Sequence, residues 1–325
     1  MQTTIFARLA TGLATVAVSG LVAAQSYPVP NRPVRIVNPF APGGSGDVVV
    51  RAVTQKISAN TNVPFVIEVK SGAGGRIGYE AAVKAPNDGY HLVITDTTYT
   101  MLPVLGPSPR WHSPEALAPV AVLAHSPFLI IARTSLGKTT LDAFLQHAKA
   151  NPGKLNYGSA GNGTINHITT EIFRTASATN FQHVPYRGMT DAVTAILGDQ
   201  LDLILIGPLP VAAHLASGRL TALAVAGPVR LPKLPTVPTV DEAGLPGYRA
   251  GNWFGLTAPR GTPAEALDWL HRETMKALDA TDVRERFIEQ GLVPGNSSRD
   301  EFAKLMLDDG ARWAGVVRSG NIKVD

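Results

Sequence analysis

Short apolar runs alternate with amphipathic stretches over the first third of the chain. Apolar runs bounded by turn residues predict buried strands, whereas apolar positions three or four residues apart predict helices. The pattern predicts three strands with two helices between them, at residues 34–37, 46–59, 63–69, 77–85 and 90–95. Strand–helix alternation of this kind indicates an α/β fold with a largely parallel sheet.

A second set of alternating elements begins near Phe128. It predicts strands at residues 128–132, 155–158, 181–184, 201–206 and 220–226, with helices at 141–151, 165–173 and 189–197. The final segment differs, because it predicts three consecutive helices, at residues 263–279, 281–290 and 298–319. The apolar stripe of the last one comprises Phe302, Leu305, Trp313, Val316 and Val317. Because three such helices cannot bury their apolar faces alone, we expect them to pack on the first sheet.

This order predicts two α/β domains that the chain crosses twice. Residues 25–125 together with 251–325 would form the first domain, and residues 126–250 the second. Two crossings favour a hinge. Ligands of open α/β sheets lie beyond the carboxyl ends of the strands, so a cleft between the domains is the expected binding site.

The N-terminus has the pattern of a signal peptide, with Arg8 before an apolar stretch that ends in Val22-Ala23-Ala24. Cleavage after Ala24 would export the mature protein, and a buried N-terminal helix is the alternative. The chain has no cysteine, which excludes disulfides, thiolate metal sites and a lipid anchor on cysteine. Its formal net charge is +4 without a run of basic residues, so no nucleic-acid surface is predicted.

Two glycine-rich turns lead from predicted strands into predicted helices. They span residues 38–47 (NPFAPGGSGD) and 157–164 (YGSAGNGT). A helix N-terminus presents unpaired N–H groups and the positive end of the helix dipole, and glycine lets a ligand approach the backbone. The pair predicts two halves of a site for a small anion. Tight connections with helices capped by Asp47, Ser45, Asn162 or Thr164 are the alternative.

Further polar groups follow predicted strands at the same rim. Residues 72–78 resemble a dinucleotide fingerprint, but Ile77 occupies the third glycine position. Residues 95–98 predict a polar strand end, in which Asp96 is the only acid near the rim. Arg76 and Arg187 could pair with a ligand, although a solvated surface arginine is the more common situation.

Enzyme motifs fail on inspection. No serine lies in G-x-S-x-G, and Ala132 stands where a phosphate loop ending at Lys138-Thr139 needs its first glycine. The eight histidines form no H-x-x-x-H pair, and no close pair of acids adjoins either glycine-rich turn. We therefore predict a binding protein without catalytic residues, metal or cofactor.

Several ordered motifs together resemble one family. They include the segments at 32–44 (RPVRIVNPFAPGG), 72–75 (GAGG), 88–90 (DGY), 152–157 (PGKLNY), 159–164 (SAGNGT), 183–188 (HVPYRG), 235–248 (PTVPTVDEAGLPGY) and 253–256 (WFGL). The chain resembles the Bug, or TctC-like, family of extracytoplasmic solute-binding receptors of tripartite tricarboxylate transporters. The resemblance covers nearly the whole mature chain.

The resemblance implies a monomeric periplasmic-binding-protein-like fold, with two α/β domains and a carboxylate ligand in the cleft between them. It also implies delivery to a membrane permease. The expected ligand-binding residues are Phe40, Ala41, Gly43, Gly44, Ser45, Gly46, Gly74, Gly75, Thr97, Thr98, Ser159, Ala160, Asn162, Gly163, Thr164, His167 and Gly207. Ile206-Gly207-Pro208 replaces a more polar stretch, which favours a less polar or aromatic acid.

Two other functions remain open at this point. An exported hydrolase or isomerase could use His167 with Ser159, although the sequence offers no acid partner for them. A module that reports ligand occupancy to a membrane sensor would have the same sequence features as a transport receptor.

Overall fold

A computed structural model describes residues 27–104, 113 and 115–320. The first sheet contains β1 (Val34–Asn38), β2 (Phe65–Val69), β3 (His91–Asp96), β4 (Leu117–Pro127), β10 (Gly251–Pro259) and β11 (Val293–Pro294). The second contains β5 (Leu129–Arg133), β6 (Leu155–Ser159), β7 (Phe181–Pro185), β8 (Leu203–Ile206) and β9 (Leu220–Val225). Their strand orders are β11-β4-β10-β3-β1-β2 and β7-β6-β8-β5-β9.

Ten α-helices occur among the described residues. They are α1 (Ser45–Thr61), α2 (Arg76–Val83), α3 (Thr97–Met101), α4 (Leu141–Ala150), α5 (Ile165–Ala176), α6 (Met189–Leu197), α7 (Ala212–Ala216), α8 (Ala264–Asp279), α9 (Thr281–Glu289) and α10 (Arg299–Gly320). The predicted strands and helices agree with these bounds to within a few residues. One element differs in type, because residues 97–101 form α3 rather than a polar strand end.

Both sheets are mixed rather than largely parallel. The strands β1, β2 and β3 run parallel to one another, as expected, but β10 is antiparallel to β3 and β4. In the second sheet β5 is antiparallel to both β8 and β9. The expectation of a largely parallel sheet missed β4 and β10, the two strands that lead into and out of the second sheet.

The final helices pack on the first sheet, but the last one also reaches the second. Helices α8 and α9 bury Leu270 and Phe287 in one core with β1 and β3. On α10, Phe302 packs against the first sheet, whereas Trp313 joins the core of the second. The predicted stripe residues Val316 and Val317 have side chains outside the described part of the chain. The last helix therefore ties the two sheets together.

The two crossings between the sheets lie side by side. Pro127 pairs with Gly251 at the end of the β4–β10 ladder. The Phe128 N–H then donates to the Ala250 carbonyl at 3.0 Å. The chain thus enters and leaves the second sheet through one hydrogen-bonded pair of segments. The predicted signal peptide lies outside the described residues, and none of the helices in residues 27–320 is long and apolar enough to span a bilayer.

Candidate functional site

A cavity lies between the carboxyl ends of the parallel strands of the two sheets, with a volume of about 960 Å³ including its open mouth. Residues of both sheets' turns and of the crossing segments line it. They are Pro39, Phe40, Ala41, Gly44–Asp47, Ser71, Gly72, Gly74, Gly75, Asp96, Thr98, Ser126, Phe128, Ala160, Thr164–Asn166, Arg187–Thr190, Ile206, Gly207, Pro210, Asn252 and Phe254.

Four helices begin at this cavity. Helices α1, α2, α5 and α6 start immediately after Gly44, Gly75, Thr164 and Gly188, and no side chain caps any of these four N-termini. Each helix therefore directs its first N–H groups and the positive end of its dipole toward the same space. The arrangement suits an anion, and it gathers donors from both sheets.

The turns of the two sheets also approach each other around the cavity. A Cβ atom on Gly74 would lie 3.9 Å from the carbonyl oxygen of Asn162, and one on Gly188 would lie 3.8 Å from the Cβ of Ala41. Both distances are ordinary van der Waals contacts. The turns of the first sheet and those of the second are thus opposing walls of one cavity.

Asp47 holds the first turn in shape from inside α1. Its carboxylate accepts hydrogen bonds from Asn38 Nδ2 at 3.1 Å, the Gly43 N–H at 3.1 Å and Arg51 Nε at 2.9 Å. Burial disfavours ionisation of Asp47, but the hydrogen bonds from Arg51, Gly43 and Asn38 outweigh it and lower the pKa of this carboxyl group. Asp47 links the end of β1, the turn and the helix.

The second turn is held by two histidines. The Ser159 hydroxyl oxygen lies 2.7 Å from His183 Nε2 and accepts from the Gly161 N–H at 3.1 Å. The Gly163 N–H donates to His167 Nδ1 at 3.1 Å. Ser159 is fully buried, so a substrate does not reach its hydroxyl group. Its imidazole partner is His183, which differs from the Ser159–His167 pair of the enzyme alternative.

Asp96 has its acceptor capacity filled by the protein. It accepts from Tyr79 Oη, the Thr98 N–H and Asn252 Nδ2, each at 2.9 Å. Burial raises the pKa of Asp96, and the hydrogen bonds from Asn252, Tyr79 and Thr98 limit that rise. Asp96 therefore caps α3 and joins β3 to β10. It is not a free counter-charge for a ligand.

One half of the cavity wall is apolar. Phe128, Phe254, Ile165 and Ile206 are all buried there, and Phe40 is half-buried. The buried Ser126 hydroxyl group lies in this wall without a hydrogen-bond partner in the described protein. It faces Gly207, on which a Cβ atom would come within 2.2 Å of Ser126 Oγ. The wall accordingly accepts the hydrocarbon part of a ligand.

The sequence-predicted site residues divide into two groups. The cavity is lined by Phe40, Ala41, Gly44, Ser45, Gly46, Gly74, Gly75, Thr98, Ala160, Thr164 and Gly207. The remaining six lie behind or beside it, and these are Gly43, Thr97, Ser159, Asn162, Gly163 and His167.

Sequence reasoning missed part of the wall, because Ser126, Phe128, Asn252 and Phe254 come from the crossing segments. These segments look like plain connections in sequence, although the structure places both of them at the cavity. Arg187, expected at the surface, is exposed and at the same time borders the cavity. Within the described residues, no group of three or more acids and histidines is placed to hold a metal ion.

Comparison with known proteins identifies the family. The model of the tripartite tricarboxylate transporter family receptor, TctC, matches residues 49–322. The chain belongs to this family. Protein BugT of Bordetella pertussis is 32% identical over 325 residues, which is 99% of both chains. The TctC membership confirms the resemblance inferred from the motifs, and with it a solute-binding rather than an enzymatic protein.

Solved structures of similar proteins share the fold. R. palustris Rpa4515 with adipate is 29% identical, with a TM-score of 0.87 over 92% of this chain and 99% of its own. MatC of Rhodopseudomonas palustris with bound malate is 30% identical, with a TM-score of 0.83 over 90% of this chain and 100% of its own. The structure of periplasmic binding protein BugD is 28% identical, with a TM-score of 0.85 over 91% of this chain and 99% of its own, and it confirms the predicted periplasmic-binding-protein-like α/β fold.

Proposed function

We propose that this protein captures a small carboxylate in the cavity between its two sheets. One observation carries the proposal: four helix N-termini without side-chain caps, two from each sheet, border the same space. The related structures with adipate and malate support the same ligand class. Because the donors come from both sheets, a bound carboxylate holds the sheets together.

The cavity has no free acidic side chain to pair with a positively charged group of a ligand, and this narrows the ligand class. Asp47 and Asp96 are the acids in its wall, and each is already bonded to donors of the protein. An ammonium group buried there would lack a free counter-charge, which is costly. Phe128, Phe254 and Ile206 offer apolar contact instead. We infer a carboxylic acid without an amino group, with an aliphatic or aromatic body.

The residue roles follow from this proposal. In the first domain, residues 25–125 with 251–325, the N–H groups of Gly44, Ser45 and Gly46 bind the carboxylate. In the second, residues 126–250, the N–H groups near Ala160 and Thr164 complete the shell. We further propose cleavage after Ala24 and delivery by a monomer to a permease of the tripartite tricarboxylate type. Co-purification with a sensor ectodomain instead of a permease would contradict this last point.

Calorimetric titration with adipate, malate, benzoate and aspartate tests the ligand class. We expect at least one of adipate, malate and benzoate to bind with higher affinity than aspartate, because aspartate carries an ammonium group. The variant Ser45→Asp adds a carboxylate at the start of α1 inside the cavity. It should weaken binding of the best acid by about 30-fold or more through like-charge repulsion at short range.

Ala264→Asp is the matched control, since it adds a carboxylate at the start of α8, outside the cavity. Both substitutions place an acid at a helix N-terminus and should leave the fold intact. Equal binding by the two variants, or no binding of any acid by the unaltered protein, would contradict the proposed function.

A further inference from the structure

Two imidazole rings lie stacked behind the second glycine-rich turn. The ring centroids of His167 and His183 are 4.1 Å apart, and their planes differ by 8°. Tyr157 is stacked beside them, with its centroid 4.8 Å from that of His183. The rings come from α5, β7 and β6, the elements that carry and support the turn. The stacked rings therefore support residues 159–164 from behind, through the hydrogen bonds of His183 with Ser159 and of His167 with Gly163.

The hydrogen bonds of the turn determine the protonation state of His167. The Gly163 N–H can only donate, and it donates to His167 Nδ1 at 3.1 Å. That nitrogen must be unprotonated, so the bond exists only while the ring is neutral with its proton on Nε2. Protonation of His167 would turn this acceptor into a donor and set it against the Gly163 N–H.

His183 makes a less demanding contact. Its Nε2 lies 2.7 Å from the Ser159 hydroxyl group, which can either donate to it or accept from it. The charged ring of His183 therefore keeps its partner, whereas the charged ring of His167 does not. Of the two stacked rings, His167 is the one whose charge decides the shape of the turn.

The charged groups around the stack are few. Glu171, on the next turn of α5, accepts from Tyr157 Oη at 2.6 Å and pairs with Arg174 at 2.7 Å. Burial lowers the pKa of His167 against the opposing effect of Glu171. Burial and the neighbouring His167 lower the pKa of His183 to about 4. At neutral pH both rings are uncharged, which is the state that the turn requires.

We propose that His167 is a positioning residue that shapes the ligand-binding turn as a neutral acceptor, so that its protonation loosens the turn and releases the ligand in acid. The inference rests on the proposed carboxylate function and concerns the regulation of that same site. Gly163 adopts a φ of 74°, and its N–H is buried. A buried donor that loses its acceptor costs free energy, so the turn has to rearrange when His167 gains a proton.

Substitutions at His167 separate the acceptor from the charge. His167→Asn provides an amide oxygen that accepts but does not titrate, and His167→Phe fills the space without an acceptor. Adipate binding is measured by calorimetry between about pH 4.5 and pH 8, which spans the ordinary histidine range. His214→Asn, on α7 and away from the turn, is the matched control.

At about pH 8 we expect His167→Phe to bind adipate about tenfold more weakly than the unaltered protein, and His167→Asn to stay within about threefold. The ratio of the two affinities, unaltered protein against His167→Asn, should fall as the pH falls. Protonation of adipate cancels in this ratio, because both proteins meet the same ligand. A ratio that stays constant with pH, as expected for His214→Asn, would overturn the proposal.

Hydrogen exchange on the ligand-free protein keeps the test independent of ligand identity. The Gly163 amide should exchange faster as the pH falls, relative to the intrinsic exchange rate, in the unaltered protein but not in His167→Asn. If no acid binds and this difference is seen, the proposed function fails while the role of His167 stands. Equal protection of the Gly163 amide in both proteins across the pH range would refute the role of His167.

Discussion

Single side chains in this site act mostly by shaping backbone. Asp47 accepts a hydrogen bond from the Gly43 N–H and His167 accepts one from the Gly163 N–H, and each bond fixes a turn. These acceptors are used within the protein and are not offered to a ligand. Ser126 is the exception, because its buried hydroxyl group has no partner among the described residues and abuts Gly207. The absence of a side chain at position 207 is what accommodates that hydroxyl group.

The contact between positions 126 and 207 can be tested by a double-mutant cycle. A Cβ on Gly207 would come within 2.2 Å of Ser126 Oγ, so Gly207→Ala should lower the free energy of unfolding by about 1 kcal/mol. Ser126→Ala should be neutral or stabilising, because it removes an unpaired buried hydroxyl group.

The double variant should recover the loss, since the next atom, Ser126 Cβ, would lie 3.5 Å from the new Cβ. Urea unfolding of the four proteins measures the coupling between the two positions. Strict additivity of the two single effects would show that the contact is not as described.

At the scale of elements, α1 is joined to the sheet through its first turn. Asp47 connects α1, the turn before it and the end of β1, and its side chain is only 6% exposed. The pKa of Asp47 is lowered in the folded protein. Its contribution to stability is therefore present above the unfolded pKa, near 4, and is lost as the pH falls through the folded value.

Asp47→Asn should lower the free energy of unfolding by about 2 kcal/mol at pH 7, because it removes the charge that pairs with Arg51. Whichever way the amide is turned, its nitrogen would also face a donor, either Asn38 Nδ2 or the Arg51 and Gly43 N–H groups. The difference between the two proteins should shrink as the pH falls below about 4. Urea unfolding at several pH values measures it. Asp282→Asn, an exposed acid in the first turn of α9, should change little. A difference of the same size at every pH would contradict the assigned role of the Asp47 charge.

Strands and helices could be predicted from the sequence where the pattern of apolar residues within the element itself defines them. The alternation of β1, α1, β2 and α2 is visible because each strand is short and bounded by turn residues. The direction and partners of strands β4 and β10 could not be predicted in this way, because they depend on a return of the chain more than a hundred residues later. For the same reason, Phe128 and Phe254 could not be assigned to the cavity from their local sequence.

The site shows the same division between local and distant information. The composition of the two glycine-rich turns predicts that a helix begins after each of them, and in the structure both turns border one cavity. The hydrogen-bond partners of Ser159 and His167 could not be predicted from the sequence, because they depend on where each side chain points in the folded protein. Ser159 bonds His183 from the neighbouring strand, whereas His167 bonds backwards to Gly163 on its own turn.

At the scale of the whole molecule, α10 connects the two sheets. Its Phe302 packs with the first sheet, and its Trp313, which is 2% exposed, packs in the core of the second. The ring of Trp313 thereby adds contacts between the sheets to those made by the crossing segments. The stability of the pair of sheets should depend on this one side chain.

Trp313→Ala should lower the free energy of unfolding by about 3 kcal/mol or more, because it leaves a large cavity in the second core. Trp313→Phe should cost less, since the indole N–H that it removes has no partner within the described residues. Leu307→Ala, on the same helix with a side chain 51% exposed, is the control. Urea unfolding followed by circular dichroism measures all three, and equal losses for Trp313→Ala and Leu307→Ala would refute the connection.

The side-by-side crossings at Pro127 and Gly251 make the second sheet an insertion between two adjacent strands of the first. Removal of the intervening stretch would leave ends close enough for a short hairpin to join them. Such a stretch can be exchanged between relatives without disturbing the order of the host strands, provided that the new stretch keeps a core that packs around Trp313 of α10. Half of the cavity wall would travel with it, so a single recombination event at this point could produce a receptor with a new ligand preference.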